Sequence, residues 1–137
     1  MSPGTYLRKR REAAGLPRWA VAGFLVGRQA HRLRVKIGPV SPHIGRMERE
    51  IAACENDSPP FDADMAGILH ECFPFDLAIY RQLLLIHSGA DCSEPRICRE
   101  CACSWNDACR PSCAWSETDP TICTACEARA AAKGDNP

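Results

Sequence analysis

Long hydrophobic runs are missing from this 137-residue sequence. The longest apolar stretch, Trp19 to Gly27 (WAVAGFLVG), has nine residues, two of them glycine, far short of the roughly 20 that span a bilayer. It follows the basic run Arg8 to Arg11 and so mimics a secretory leader. Pro17 and Arg18 stand directly before it, however, and no small-x-small cleavage pattern follows. There is no Walker loop, no glycine pattern suited to a dinucleotide, and no nucleophile at a spacing that pairs it with a base. These gaps exclude a spanning segment and point away from an enzyme. Net charge is missing as well, with 17 Lys and Arg against 17 Asp and Glu.

That zero conceals a division. Residues 1–50 carry eleven Lys and Arg against three Asp and Glu, whereas residues 51–137 carry six against fourteen. A basic half of this kind either meets an anionic partner or presents a solvated basic face. DNA is the commonest such partner, because neutralised phosphates release counterions.

Cysteine is abundant, ten in all, and unevenly placed: seven lie between Cys98 and Cys126, with Cys54, Cys72 and Cys92 scattered before them. A secreted disulfide scaffold spreads its cysteines over the domain it staples. Here the first 90 residues read as helices that need no staple, which favours metal binding in a reducing cytoplasm.

Local signals give the helices. Thr5 caps a helix over 6–14, with Tyr6, Leu7, Ala13 and Ala14 on its inner face and Gly15 at its end. Pro17 opens a second helix through Trp19, Ala20, Ala22, Phe24 and Leu25. Residues 28–40, with Arg28, His31, Arg32, Arg34 and Lys36, read as a basic loop containing at most a short helical or extended piece. Ser41-Pro42 starts a third helix, in which Ile44, Met47, Ile51 and Cys54 recur at helical spacing. Asn56 to Pro60 breaks the chain. Asp62 caps a fourth helix with Met65, Ile68, Leu69 and Cys72 inward. Asp76 caps a fifth, with Phe75 and Tyr80 as a hydrophobic staple, and Ser88-Gly89 stops it. His70 and His87 are expected to pack on these inner faces. The predicted fold class is mainly α: a five-helix domain over 1–88, a polar linker over 89–96, a cysteine-rich module over 97–130 and a disordered tail over 131–137.

The stretch YLRKRREAAGL (6–16), then HIGRMERE (43–50) and DADMAGILHECF (62–73), resembles the lambda-repressor/Cro-like helix-turn-helix family. Ile44, Gly45, Met47 and Glu48 stand where that family carries an apolar, a small, an aromatic or apolar residue, and glutamate. In this chain the thirteen residues 28–40 stand where the family has a turn of a few residues, and Arg49-Glu50 replaces a common glycine. The resemblance implies that the helix from Ser41 enters the major groove. Ser41, His43, Arg46 and Arg49 would then face bases or phosphates, and Arg28, Arg32, Arg34 and Lys36 would track the backbone beside them.

The cysteine segment reads C-x2-C, twenty-one residues, C-x2-C through Cys98, Cys101, Cys123 and Cys126, the spacing of a structural zinc site. Asp119 and Pro120 are expected to open a final helix that carries Cys123 and Cys126 in its first two turns, the module being treble-clef or ribbon-like. Cys103, Cys109 and Cys113 remain. They complete a second zinc site through one shared thiolate, which needs all seven cysteines, or stay as packed thiols, or contain a disulfide. An iron–sulfur cluster is the alternative to zinc. Trp105 and Trp115 are expected to cover the metal. The acidity around them (Glu100, Asp107, Glu117, Asp119) suits protein contacts better than phosphate. The segment also resembles short cysteine-rich tails encoded in phages and prophages. The expected function is a DNA-binding, cytoplasmic transcriptional regulator of phage or prophage origin, with one or two structural zinc ions. A protein-interaction factor docking on a polymerase or repair enzyme, and an iron–sulfur redox sensor, stay open as alternatives.

Overall fold

The computed structural model describes residues 1–34, 42–111 and 113–134. Six helices follow one another: α1 Pro3–Ala13, α2 Arg18–Leu33, α3 Pro42–Glu55, α4 Ala63–Leu69, α5 Leu77–His87 and α6 Thr124–Gly134. Among the described residues there is no named strand, only one antiparallel bridge between Trp115 and Cys123. No helix among them is long and apolar enough to cross a membrane.

Helix α1 starts earlier than its sequence suggests. Ser2, not Thr5, is the N-cap; its hydroxyl accepts from the Thr5 N–H at 3.3 Å, and Pro3 takes the first helical position, where its missing N–H costs nothing. At the other end Gly15 has φ 70°. The Leu16 N–H donates to the Arg11 carbonyl at 3.2 Å and the Gly15 N–H to the Glu12 carbonyl at 2.9 Å, the paired bonds of a Schellman stop. The buried stripe runs Pro3, Tyr6, Leu7, Arg10 and Arg11. Ala13 and Ala14, expected inside, are exposed. Helical spacing from Tyr6 and Leu7 leads to Arg10 and Arg11, and these arginines stay buried because acids meet them.

Arg11 is gripped by Glu55 at the end of α3, its Nε donating to Oε1 at 2.5 Å and its Nη2 to Oε2 at 3.1 Å, while Nη1 donates to the Leu16 carbonyl at 2.7 Å. Arg18, at the start of α2, donates to the same Glu55 Oε2 at 2.8 Å. Glu55 is only 3% exposed, so one buried carboxylate fastens three helices. Beside it α1 and α3 approach backbone to backbone. A Cβ on Gly4 would stand 2.2 Å from the Cys54 carbonyl oxygen, and the Gly4 N–H donates to Asp57 Oδ1 at 2.7 Å.

Helix α2 runs to Leu33, so residues 28–33, expected in a loop, are its last turns. Its buried residues Val21, Ala22, Leu25, Val26 and Ala30 explain the extension, since the apolar stripe continues beneath the basic surface residues. Arg34 then takes a left-handed φ of 56° and ends the helix. Trp19 is on this helix as expected and is 62% exposed, because the buried stripe starts from Val21. The proposed contacts Lys36 and Ser41, and the Ser41 cap, lie outside the described residues.

Helices α4 and α5 begin at their expected caps, but α4 ends at Leu69, so Cys72, expected on its inner face, stands beyond it and half-buried. Ile51 is buried, with Ile44 and Met47 packed partly against it. Asp62 accepts from the Met65 N–H at 2.8 Å. Asp76 accepts from the Ala78 and Ile79 N–H groups at 2.9 and 3.1 Å. The Phe75 and Tyr80 rings meet edge to face with centroids 6.1 Å apart, as a staple requires. Tyr6 sits between them, fully buried, and its hydroxyl accepts from the Asp76 N–H at 2.9 Å. The two histidines differ from expectation. Both His70 and His87 are exposed, His70 lying 5.4 Å from the Phe75 ring. Helix α6 extends through Gly134, so the first four residues of the expected tail are helical, and residues 135–137 lie outside the described set.

Two substitutions test this packing. Gly4→Ala, which in an open helix would add up to about 1 kcal/mol of stability, is expected here to lower the urea midpoint, because the added methyl meets backbone. Glu55→Ala leaves two arginines facing a void and is expected to cost about 3–5 kcal/mol in equilibrium unfolding, the largest effect of any single acid in the helical domain.

Candidate metal centre

Residues 97–134 have little apolar material, and their order comes from hydrogen bonds and sulfur. The first pair forms a knuckle. The Ala102 N–H donates to the Cys98 carbonyl at 2.9 Å and the Cys98 N–H to the Cys103 carbonyl at 2.9 Å. Closing this loop requires Ala102 to adopt φ 58°, a region an alanine enters at a cost of about 1–2 kcal/mol. The cost is offset by placement: Ala102 is fully buried and belongs to the core of the helical domain, alongside Tyr6, Phe75 and Tyr80.

The second pair stands at the start of α6. The Ser116 N–H donates to the Ile122 carbonyl at 3.1 Å and the Thr124 N–H to the Ala114 carbonyl at 2.8 Å, folding 114–116 back along 122–124. Asp119 and Pro120 form a turn before the helix and not its first turn: the Ile122 N–H donates to the Asp119 carbonyl at 3.1 Å, and α6 begins at Thr124. Cys123 therefore precedes the helix and Cys126 occupies its first turn, where amide N–H groups and the helix dipole favour thiolate.

The knuckle and the helix start converge. Cys98, Cys101, Cys123 and Cys126, all buried, have their sulfurs within 4.8 Å of one another, and so do Cys101, Cys103, Cys109 and Cys123. Cys101 and Cys123 sulfurs are 3.7 Å apart. A tetrahedral zinc site with bonds of about 2.3 Å has sulfur–sulfur edges of about 3.8 Å. The Cys123 N–H donates to the Cys98 sulfur at 3.4 Å, and Arg129 Nη2 to the Cys126 sulfur at 3.0 Å, contacts that stabilise negative sulfur. Cys113 lies 3.5 Å from Cys109. All ten cysteines are free, so the disulfide alternative for Cys103, Cys109 and Cys113 is not realised.

Proton sharing governs the thiols. The Cys103 thiol donates to Cys101 and holds it well below the usual range, while the same bond raises Cys103. Burial pushes Cys109 up to about 12 and also raises Cys126. Such a nest keeps most of its protons unless a cation displaces them. The residues present can hold a metal ion, and the donor set is wholly soft sulfur.

The two tryptophans separate. Trp115 packs half-buried on the sulfur cluster with the Arg96 guanidinium 4.4 Å above its ring. Trp105, expected to cover the metal, is 78% exposed, because residues 104–107 turn toward α5. There Asp76, the cap of α5, accepts from Ser104 Oγ at 3.4 Å and Asn106 Nδ2 at 3.3 Å. Asp107 pairs with buried Arg10 at 2.6 Å, and Lys9 Nζ donates to the Glu100 carbonyl at 2.8 Å. The module is thus docked on α1 and α5. Sequence reasoning missed this dock, although Arg10 standing one turn after Tyr6 was the available signal.

The residues expected at DNA fall into two groups. Arg28 pairs with Glu71, and Arg46 with Glu50 at 3.0 Å on its own helix. His43 and Arg49 are exposed on α3, and Arg32 and Arg34 are exposed where α2 ends. Comparison with protein families, curated proteins and solved structures finds no match for this chain.

Cys98→Ser is expected to lower metal content and weaken amide-exchange protection over 98–126. Cys92→Ser, at an exposed thiol outside the cluster, should leave both unchanged. Retention should also weaken as pH falls, because ligand thiols must lose protons to bind. Elemental analysis and exchange mass spectrometry read these outcomes.

Proposed function

We propose that this chain is a DNA-binding regulator in which α3 is the reading helix and the cysteine module is a structural zinc centre. The carrying observation is where the basic charge is left over. Arg10, Arg11, Arg18 and Arg28 are spent on internal acids. Arg32 and Arg34 at the end of α2 and Arg49 on α3 are exposed and have no ion pair among the described residues. His43, Arg46 and Arg49 share the exposed face of α3, at the spacing that lets one helix face enter a groove.

Zinc is favoured over an iron–sulfur cluster by compactness. A cluster interposes its own irons and sulfides between cysteine sulfurs, whereas these sulfurs crowd to the edge length of a single tetrahedral ion. The knuckle, back-folded 114–124 segment and helix support a treble-clef-like reading. Cysteine at every position of a site leaves no vacancy for a reacting water, so the centre supports structure and not catalysis, in a reducing compartment that keeps thiols free. A protein-contact role for the module has one observation in its favour, the exposed Trp105. Aromatic side chains of this kind anchor interfaces.

The test is duplex binding followed by fluorescence anisotropy across a salt series. Affinity should fall steeply with salt. Arg32→Gln, Arg34→Gln and Arg49→Gln should each reduce the log–log slope by about 1. Arg28→Gln, on the same helix but paired with Glu71, should leave the slope unchanged. Binding that ignores salt, or ignores the three substitutions, would refute the reading.

A further inference from the structure

The two four-sulfur sets are not independent: Cys101 and Cys123 belong to both. We infer that the centre is binuclear, with two divalent soft metal ions joined by bridging thiolates from Cys101 and Cys123. Cys98 and Cys126 complete one tetrahedron, and Cys103 and Cys109 complete the other. This rests on the cysteines holding metal at all, and is independent of the DNA reading.

The geometry is that of two tetrahedra sharing an edge. The shared pair is 3.7 Å apart and the Cys109–Cys123 pair, an edge of the second tetrahedron alone, is 3.9 Å, both close to the tetrahedral edge of about 3.8 Å. The chain supplies the sharing locally. Cys101 and Cys103 flank left-handed Ala102, so a C-x-C step, ordinarily extended with its side chains on opposite faces, brings both sulfurs to one place. Counting cysteines in the sequence suggested seven ligands and one shared thiolate. The structure instead gives six ligands and two shared, and Cys113 falls outside both sets, although it stands beside Cys109 and bonds to Cys123.

Charge favours a second ion. One dication among six converging sulfurs either leaves an excess of buried thiolate or leaves Cys103 and Cys109 protonated as packed thiols. Two dications leave a smaller excess, and the donors at hand face it: Arg129 at Cys126 and the Cys123 N–H at Cys98. Each ion enters by displacing thiol protons into solvent, with no change of oxidation state.

Native mass spectrometry of the anaerobically purified full chain should find two metal ions per molecule. Cobalt(II), added alone to metal-stripped chain, gives a readout that needs no variant. The paramagnetic signal should rise with the first equivalent and fall with the second, because bridging thiolates couple the two spins. Cys103→Ser and Cys109→Ser should each drop the count to one, and Cys113→Ser should keep two. One ion in the unaltered chain, two ions whose cobalt signals simply add, or a loss of one ion in Cys113→Ser would each overturn the shared-edge centre. Finding no metal in the chain, and none taken up, would instead overturn the metal centre itself. If a variant fails to fold, the cobalt signal of the unaltered chain decides.

Discussion

Cys101 and Cys103 reach one point only because the residue between them turns the backbone left-handed, and that residue is Ala102, whose methyl lies in the helical core. A positive φ at alanine is unfavourable by itself. It persists where the surroundings determine it from both sides: sulfurs held by their common centre on one, Tyr6, Phe75 and Tyr80 packed on the other. Glycine would relieve the backbone but lose the buried methyl. A larger side chain would find no room beside two fully buried tyrosines. The geometry of the sulfur cluster and the seating of the module are therefore one constraint, and a metal held there would set the dock as it orders the knuckle.

The charge of the N-terminal half takes on a different meaning once its partners are known. Its excess of basic residues suggested a large anionic partner, yet much of it neutralises acids of the same chain. Glu55 takes Arg11 and Arg18, Asp107 takes Arg10, and Glu71 takes Arg28. The division into basic and acidic halves is in part an instruction for folding, since the acidic module is drawn to α1 by the opposite charge it meets there. What remains unpaired in the N-terminal half includes Arg32 and Arg34 at the end of α2 and Arg49 on α3.

Features set by local chemistry were legible in the sequence, and those set by distant partners were not. Asp62, Asp76, Gly15 and Gly89 mark helix ends through bonds to residues a few positions away, and each stands where its residue type suggested. The Cys98, Cys101, Cys123 and Cys126 set was readable because a metal site leaves fixed spacings. The roles of Arg10 and Arg11 were hidden because only Asp107 and Glu55, 97 and 44 positions away, make an arginine tolerable on a buried stripe. Trp105 was placed over the metal from its apolarity alone, which does not decide exposure when a loop turns toward a capping aspartate. The end of α2 was missed because polar residues were read as loop, although Val26 and Ala30 kept the helical period beneath them.

Arg10 and Arg11 are adjacent in sequence, so on α1 they point in directions about 100° apart. One reaches Asp107 in the cysteine module, the other Glu55 at the end of α3. Helix α1 therefore lies between the metal centre and the helix proposed to read DNA, and its packing serves both. Metal binding contributes folding free energy to whatever its site is coupled to. Here that coupling passes through Ala102, Asp107 and the Asp76 cap into α1 and α5, so the helical domain would share in the stability a bound metal supplies. A module of some forty residues with so little apolar surface could not order itself by burial. Docked this way, it has no need to, because its sulfurs supply the order and the helices supply the core.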